Sequence, residues 1–256
     1  MHVRTGFVTQ VGMEYERAFA VATDLGLDYV ELMLDGANAY RNLDPEAVRS
    51  AAAEHDLDLA VHLPFTLDVG SPHDHVREGA RRELEAAIDA AGAFDAEKAV
   101  VHAGSNAWQP AWDGETVRAN VVETLAALSS FADERDVELC VENVPGNWFG
   151  LDDFDRLFAE TGASMTLDTG HARIAGLDSA ETAAFVADHA DRISHFHLND
   201  TRRARDEHLP FGSGTIDFAE IFGALPDDWT GTLSLEVFTL EYDYLETSVR
   251  HLDELL

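Results

Sequence analysis

The chain has 256 residues and carries 49 acidic against 17 basic side chains, a formal net charge of −32. That length suits one barrel or two small domains, and the charge argues against broad electrostatic binding to nucleic acid or an anionic membrane, both of which need basic patches. The single cysteine, Cys140, excludes an intrachain disulfide and any CxxC metal site.

The single lysine, Lys98, completes an acidic, lysine-poor surface of the kind suited to a high-salt, halophilic cytosol. No stretch approaches the roughly 18 consecutive apolar residues of a membrane span. The opening MHVRTGFV lacks a charged-then-apolar leader, so a cytoplasmic protein without membrane contact is expected.

Short apolar stretches alternate with longer helical ones along the whole chain. Strands are expected near 3–8, 28–33, 57–63, 98–103, 137–143, 163–168, 192–198 and 231–238. Helices are expected near 13–25, 44–55, 74–92, 114–135, 150–161, 178–189, 217–223 and 241–255. Asp44-Pro45 supplies a cap and a proline at the first helical position, and Asp178 with Glu181 makes a capping box. Eight βα units point to a single (β/α)8 TIM barrel spanning residues 1–256, with no linker or second domain. A doubly wound sheet is the alternative, but no GxGxxG follows the first strand.

Strand parity locates a site. Val137, Leu139 and Val141 share one face, and Glu138, Cys140 and Glu142 the other. Asp168 closes the equivalent face of strand six, and Glu236 that of strand eight. The apolar faces should meet the helices, which leaves one acid at the carboxyl rim of each strand, where barrel enzymes build their sites. Glu31, His62, His102, His171, His197, Asp206 and His208 fall at the same rim. One such residue is more often a hydrogen-bonded structural group. Ten at one mouth are not, because buried charge is costly without partners, and a divalent-metal site follows.

Asn143, Asn199 and Arg173 are candidates for substrate contact or support, and Tyr40, Trp108, Trp112 and Trp148 for pocket walls. His195 lies deeper than His197 and reads as a supporting partner. Lys98 stands at the entry of its strand, which argues against Schiff-base chemistry. Gly212-Ser213-Gly214 follows strand seven, where barrels often hold phosphate on backbone amides.

With these residues in view, the chain resembles the xylose-isomerase-like barrel superfamily, which holds sugar (phosphate) isomerases and epimerases and the endonuclease IV family. YVELMLDG, LSLEVF and DEHLPFGSGTIDF are similar to the isomerase and epimerase branch. That resemblance implies one metal ion held by Glu142, Asp168, His197 and Glu236. HLPFTLDVGSP, VVHAGS, LDTGH and HLND are similar to the nuclease branch. That resemblance implies three zinc ions held by His62, His102, Glu142, Asp168, His171, His197, Asp206, His208 and Glu236. VELML and the scarcity of lysine and arginine favour the isomerases, although Arg202, Arg203 and Arg205 make one basic cluster.

The leading expectation is a divalent-metal-dependent isomerase or epimerase, and the alternative is an apurinic-site phosphodiesterase. Glu142, Glu236 and His171 are the expected catalytic residues. Glu31, His62, His102, Asn143, Arg173 and His208 are the expected substrate contacts. Mn, Zn, Mg and Co all suit an oxygen and imidazole ligand set without thiolate. The expected partner is a small sugar or sugar phosphate, with a homo-oligomer compatible and nucleic acid disfavoured.

Overall fold

The strands are short, five to seven residues each, and each is followed by a helical crossover that returns the chain to the same end of the sheet. The computed structural model describes residues 2–10, 12–146, 148–202, 205–239 and 241–256. In chain order these give β1 (His2–Val8), α1 (Tyr15–Leu25), β2 (Tyr29–Met33), α2 (Pro45–Glu54), β3 (Asp58–His62) and α3 (Asp74–Ala93). Then come β4 (Lys98–His102), α4 (Gly114–Asp133), β5 (Glu138–Glu142), α5 (Phe154–Glu160), β6 (Ser164–Asp168) and α6 (Thr169–Ala175). The chain continues with α7 (Ser179–His189), β7 (Ile193–Leu198), α8 (Phe218–Phe222), β8 (Thr230–Leu235) and α9 (Asp243–Asp253).

Each strand pairs in parallel with the next, and β8 pairs with β1, so the sheet closes into a single (β/α)8 TIM barrel. The expected parity holds. Leu139, Val141, Met165, Leu167, Phe196 and Leu235 are buried in the layer between sheet and helices. Cys140, Thr166, His195 and Ser234 fill the barrel interior. Lys98 closes the amino-terminal end, its Nζ donating to the Ser194 carbonyl at 2.7 Å and lying 3.3 Å from Glu138 Oε2.

Two elements differ from expectation. β8 ends at Leu235, so Glu236 lies just past the ladder, anchored by its N–H to the Leu198 carbonyl at 3.0 Å. The other is α6, seven residues placed directly after β6. Its N-cap is Asp168, whose side chain accepts from the His171 N–H at 2.5 Å. A strand-end acid that also caps a helix fixes Asp168 and His171 relative to each other.

Candidate metal centre

The carboxyl ends of β3 to β8 deliver the expected acids and imidazoles to one small cavity. It has a volume of about 220 Å³ and is lined by His62, His102, Glu142, His171, Asp206, His208 and Glu236, with Met33, Phe65, Val144 and Phe238 as its apolar walls. Glu142 is at the centre. Its Oε2 lies 2.9 Å from His102 Nε2 and 3.4 Å from His62 Nε2, and its Oε1 lies 2.9 Å from His171 Nδ1 and 3.6 Å from His197 Nδ1. Glu236 Oε2 lies 3.3 Å from both His197 Nδ1 and His208 Nδ1. Asp206 bridges the far side, at 3.2 Å from His171 Nε2 and 2.9 Å from His208 Nε2.

His171 Nε2 and Asp206 are hydrogen-bonded, but around Glu142 and Glu236 the contacts are close approaches more than hydrogen bonds. Glu142 Oε2, His171 Nδ1, His197 Nδ1 and Glu236 Oε2 are buried, and none has a hydrogen-bond partner. Orphaned acceptors and ring nitrogens converging on one point are what a cation would satisfy. The ligand atoms fall into three compact groups around the cavity: Glu142, Asp168, His197 and Glu236; His62, His102 and Glu142; and His171, Asp206 and His208.

The electrostatics agree. Burial pushes the Asp168 carboxyl up to about 7, with the Glu236 and Glu142 carboxylates adding to the shift against the opposing charge of His171. Burial also disfavours charge on Glu142, but the imidazoles of His102 and His197 outweigh it and hold that carboxyl well below its usual range. His208 is desolvated, yet Glu236 and Asp206 raise it to about 11. A site in which burial, helped by two neighbouring carboxylates, raises a third carboxyl in this way has the charge that a divalent cation would neutralise.

The ligand tautomers are set locally. His62 Nδ1 donates to the Leu63 carbonyl at 2.8 Å, and His208 Nδ1 donates to the Glu236 carbonyl at 3.1 Å. Each leaves Nε2 toward the cluster. His208 holds a left-handed backbone, φ 44°, and the Phe238 N–H bonds its carbonyl at 3.0 Å, so the long β7–α8 loop is stapled to the end of β8.

Several expected site residues lie elsewhere. Glu31 is buried below the cavity floor against His195, His197 and Ser234, away from any substrate space. Asn143 brackets the Asp168 backbone, donating to its carbonyl at 3.0 Å and accepting from its N–H at 2.7 Å. Arg173 points to Thr215 Oγ1 and the Leu177 carbonyl, outside the cavity. Asn199 supports Asp168, its Nδ2 donating to Oδ2 at 2.7 Å.

In the glycine loop the amides of Ser213 and Gly214 are already engaged. The N–H groups of Gly214 and Ile216 donate to the buried Asp200 carboxylate at 2.7 and 3.1 Å, and that of Ser213 donates to the Pro210 carbonyl. The expected walls are absent from the lining as well: Tyr40 bonds Glu83, Trp112 packs edge-on to His73, Trp148 donates to the Ala107 carbonyl, and Trp108 faces solvent. Phe65 and Phe238 take their place, three residues after His62 and two after Glu236. Of the basic cluster, Arg202 is paired with Glu207 at 2.8 Å, Arg205 is exposed, and Arg203 lies outside the described residues.

Fold and site together define an enzyme barrel with its polar cluster at the carboxyl mouth of the strands. A family model described as a xylose isomerase-like TIM barrel matches residues 19–255, and the chain belongs to that family. It is 26% identical over 222 residues to an uncharacterized protein of Methanocaldococcus jannaschii, covering 82% of this chain and 74% of that one. It is 27% identical over 209 residues to a probable endonuclease 4 of Mycobacterium marinum, covering 77% and 80%. The crystal structure of a D-tagatose 3-epimerase-like protein superposes with a TM-score of 0.85 at 23% identity, covering 98% and 96%. No helix among the described residues is long and apolar enough to cross a membrane.

Proposed function

We propose that this chain catalyses divalent-metal-dependent isomerisation or epimerisation of a small sugar, by moving a proton to and from a carbon beside a carbonyl. The observation that carries the reading is the convergence of the Glu142 and Glu236 carboxylates on one cavity of about 220 Å³, with Asp168 and His197 completing their ligand group behind its lining. Glu142, Asp168, His197 and Glu236 are the proposed ligands of one ion. His62 and His102 with Glu142, and His171 with Asp206 and His208, are the sets for any further ions. Mn, Zn, Mg or Co would supply Lewis acidity toward the substrate's carbonyl and hydroxyl oxygens.

The chain's own residues do the rest. One glutamate takes the carbon-bound proton, which leaves an enediolate, and the other returns a proton to the opposite face or the neighbouring carbon. His171, its Nε2 3.2 Å from Asp206 Oδ2, is placed to orient or polarise a hydroxyl. His62, His102 and His208 line the same space and contact the substrate where they are not ligands. Phe65 and Phe238 shed water from the mouth. With the Gly214 amide engaged by Asp200 and that of Ser213 by the Pro210 carbonyl, the backbone pointer to a phosphate is weakened, so an unphosphorylated sugar is the first substrate class to test.

A second reading, hydrolysis at abasic DNA, is favoured by one specific observation: the ligand atoms form three groups, two of which share Glu142, and together they take in every polar residue of the cavity lining. Against it stand the small cavity and the acidic excess, since a duplex binder normally neutralises several phosphates with lysine or arginine. The test of the first reading is solvent exchange of a carbon-bound proton in a panel of ketoses, followed by NMR with metal-loaded protein in high salt. Deuterium should enter one position of one sugar class. No exchange in any ketose or ketose phosphate refutes it.

A further inference from the structure

Glu31 was expected to touch substrate. It is instead fully buried, in the middle of β2 and one layer below the cavity. Its Oε1 lies 3.0 Å from His197 Nε2, and its Oε2 lies 3.0 Å from His195 Nε2 and 3.2 Å from His197 Nε2. Ser234 Oγ donates to Oε2 at 2.5 Å, and the Tyr29 hydroxyl lies 2.8 Å from the same Oγ.

A carboxylate between two ring nitrogens can only accept, so both imidazoles present N–H at Nε2. In His195 the other nitrogen is occupied, 2.6 Å from Thr232 Oγ1. In His197 the other nitrogen is Nδ1, which has no hydrogen-bond partner and faces Glu142 and Glu236. The same arrangement occurs at His62 and His208, with one difference. There a neutral backbone carbonyl holds the far nitrogen, whereas at His197 a full negative charge holds it.

We infer that Glu31 is a positioning residue that fixes His197 in the tautomer with a free Nδ1 and so preforms the Glu142, Asp168, His197 and Glu236 group for a cation. The inference rests on the metal-centre reading above. The carboxylate partner also makes His197 a stronger donor than an imidazole bonded to a neutral group. Glu31, His195 and His197 are themselves close enough to hold an ion, but His197 Nε2 cannot both donate to Glu31 and ligate. The hydrogen-bonded distances assign it to Glu31.

The test is cobalt(II) titration of the full chain by calorimetry and visible absorption, comparing native protein with Glu31→Gln and Ser234→Ala. The introduced amide is neutral, so in either orientation His197 loses its anionic partner, and where the amide NH2 faces His197 that ring is also forced into the other tautomer. Glu31→Gln should weaken one class of cobalt site about 10–100-fold, the range for loss of such a partner. The His171, Asp206 and His208 group should keep native affinity, and the metal-free melting temperature should stay near native. Ser234→Ala, which leaves both imidazole contacts in place, should bind as native.

Native affinity at every site in Glu31→Gln overturns the inference, as does a uniform loss that tracks a fall in metal-free melting temperature. If Glu31→Gln does not fold, the native chain still decides. In the zinc-loaded protein with ¹⁵N-labelled histidine, His197 should ligate through Nδ1 with a slowly exchanging Nε2 proton. Ligation through Nε2, or rapid exchange of that proton, overturns it. A native chain that binds no metal at all removes the metal centre itself, an outcome distinct from native and variant binding equally.

Discussion

Glu142→Gln separates chemistry from folding at this site. The replacement is isosteric, so it leaves no cavity, and the side chain it alters is buried among four imidazoles, those of His62, His102, His171 and His197. Removing the charge lifts a large desolvation penalty and the repulsion from Asp168, while it deprives those imidazoles of their counter-ion. The two effects oppose, with the imidazole pairing the larger, so stability should fall by about 1–3 kcal/mol. Turnover should fall much further. Loss of a proton-transferring group costs about 10²–10⁴-fold, roughly 2.7–5.5 kcal/mol of barrier at about 1.36 kcal/mol per factor of ten. The assay is turnover at saturating sugar beside thermal unfolding and metal content of the same preparations. A folded Glu142→Gln protein that turns over near the native rate would remove Glu142 from the mechanism.

The metal-free protein should lose stability as pH rises through neutrality, because His208 is raised from 6.5 to about 11 and Asp168 from 3.8 to about 7 in the folded chain. For each, the folded state holds its proton longer than the unfolded one, so the stabilisation is complete below the unfolded value and is lost as pH climbs to the folded one, at up to about 1.4 kcal/mol per pH unit per proton. Melting curves from pH 6 to 9 check this, and a flat or rising curve contradicts it. Gly170→Ala places a Cβ against the Asn199 side-chain amide that holds Asp168, and calorimetry should show metal affinity down about 10–100-fold; unchanged affinity refutes the coupling. Phe196→Ala empties a buried position packed edge-on against Phe222 and Trp229, and should cost about 3–5 kcal/mol by denaturant unfolding in high salt. A cost below about 1 kcal/mol would mean that the sheet–helix layer there is not close-packed.

The barrel was legible in the sequence because its strands sort by parity, as Glu138-Leu139-Cys140-Val141-Glu142 does, and because acids and imidazoles recur at strand ends. Parity assigns a side chain to a face but not to a layer of that face. Glu31 shares the inward face yet pairs with Ala60, whereas Met33, two residues on, pairs with His62 and reaches the cavity. The same limit hid α6, whose cap is the strand-end Asp168 and whose seven residues are too few to show a helical period. Long-range partners were invisible as well: nothing near Gly214 in sequence shows that Asp200 takes its amide, or that Thr215 takes Arg173. Phe65 and Phe238 could have been found from their spacing to His62 and Glu236, a signal weaker than the tryptophans that drew attention instead.

Proton movement on a sugar at this mouth is what separates an isomerase or epimerase from a DNA hydrolase. Native protein loaded with manganese, and separately with zinc, is incubated in heavy water with a ketose panel and with an abasic oligonucleotide, in high and in moderate salt. Deuterium should enter a carbon-bound position of a ketose, dependent on metal and lost in Glu142→Gln, with the oligonucleotide intact. Metal-dependent strand scission that is lost in Glu142→Gln, with no deuterium in any sugar, would contradict the isomerase or epimerase reading and establish the phosphodiesterase in its place.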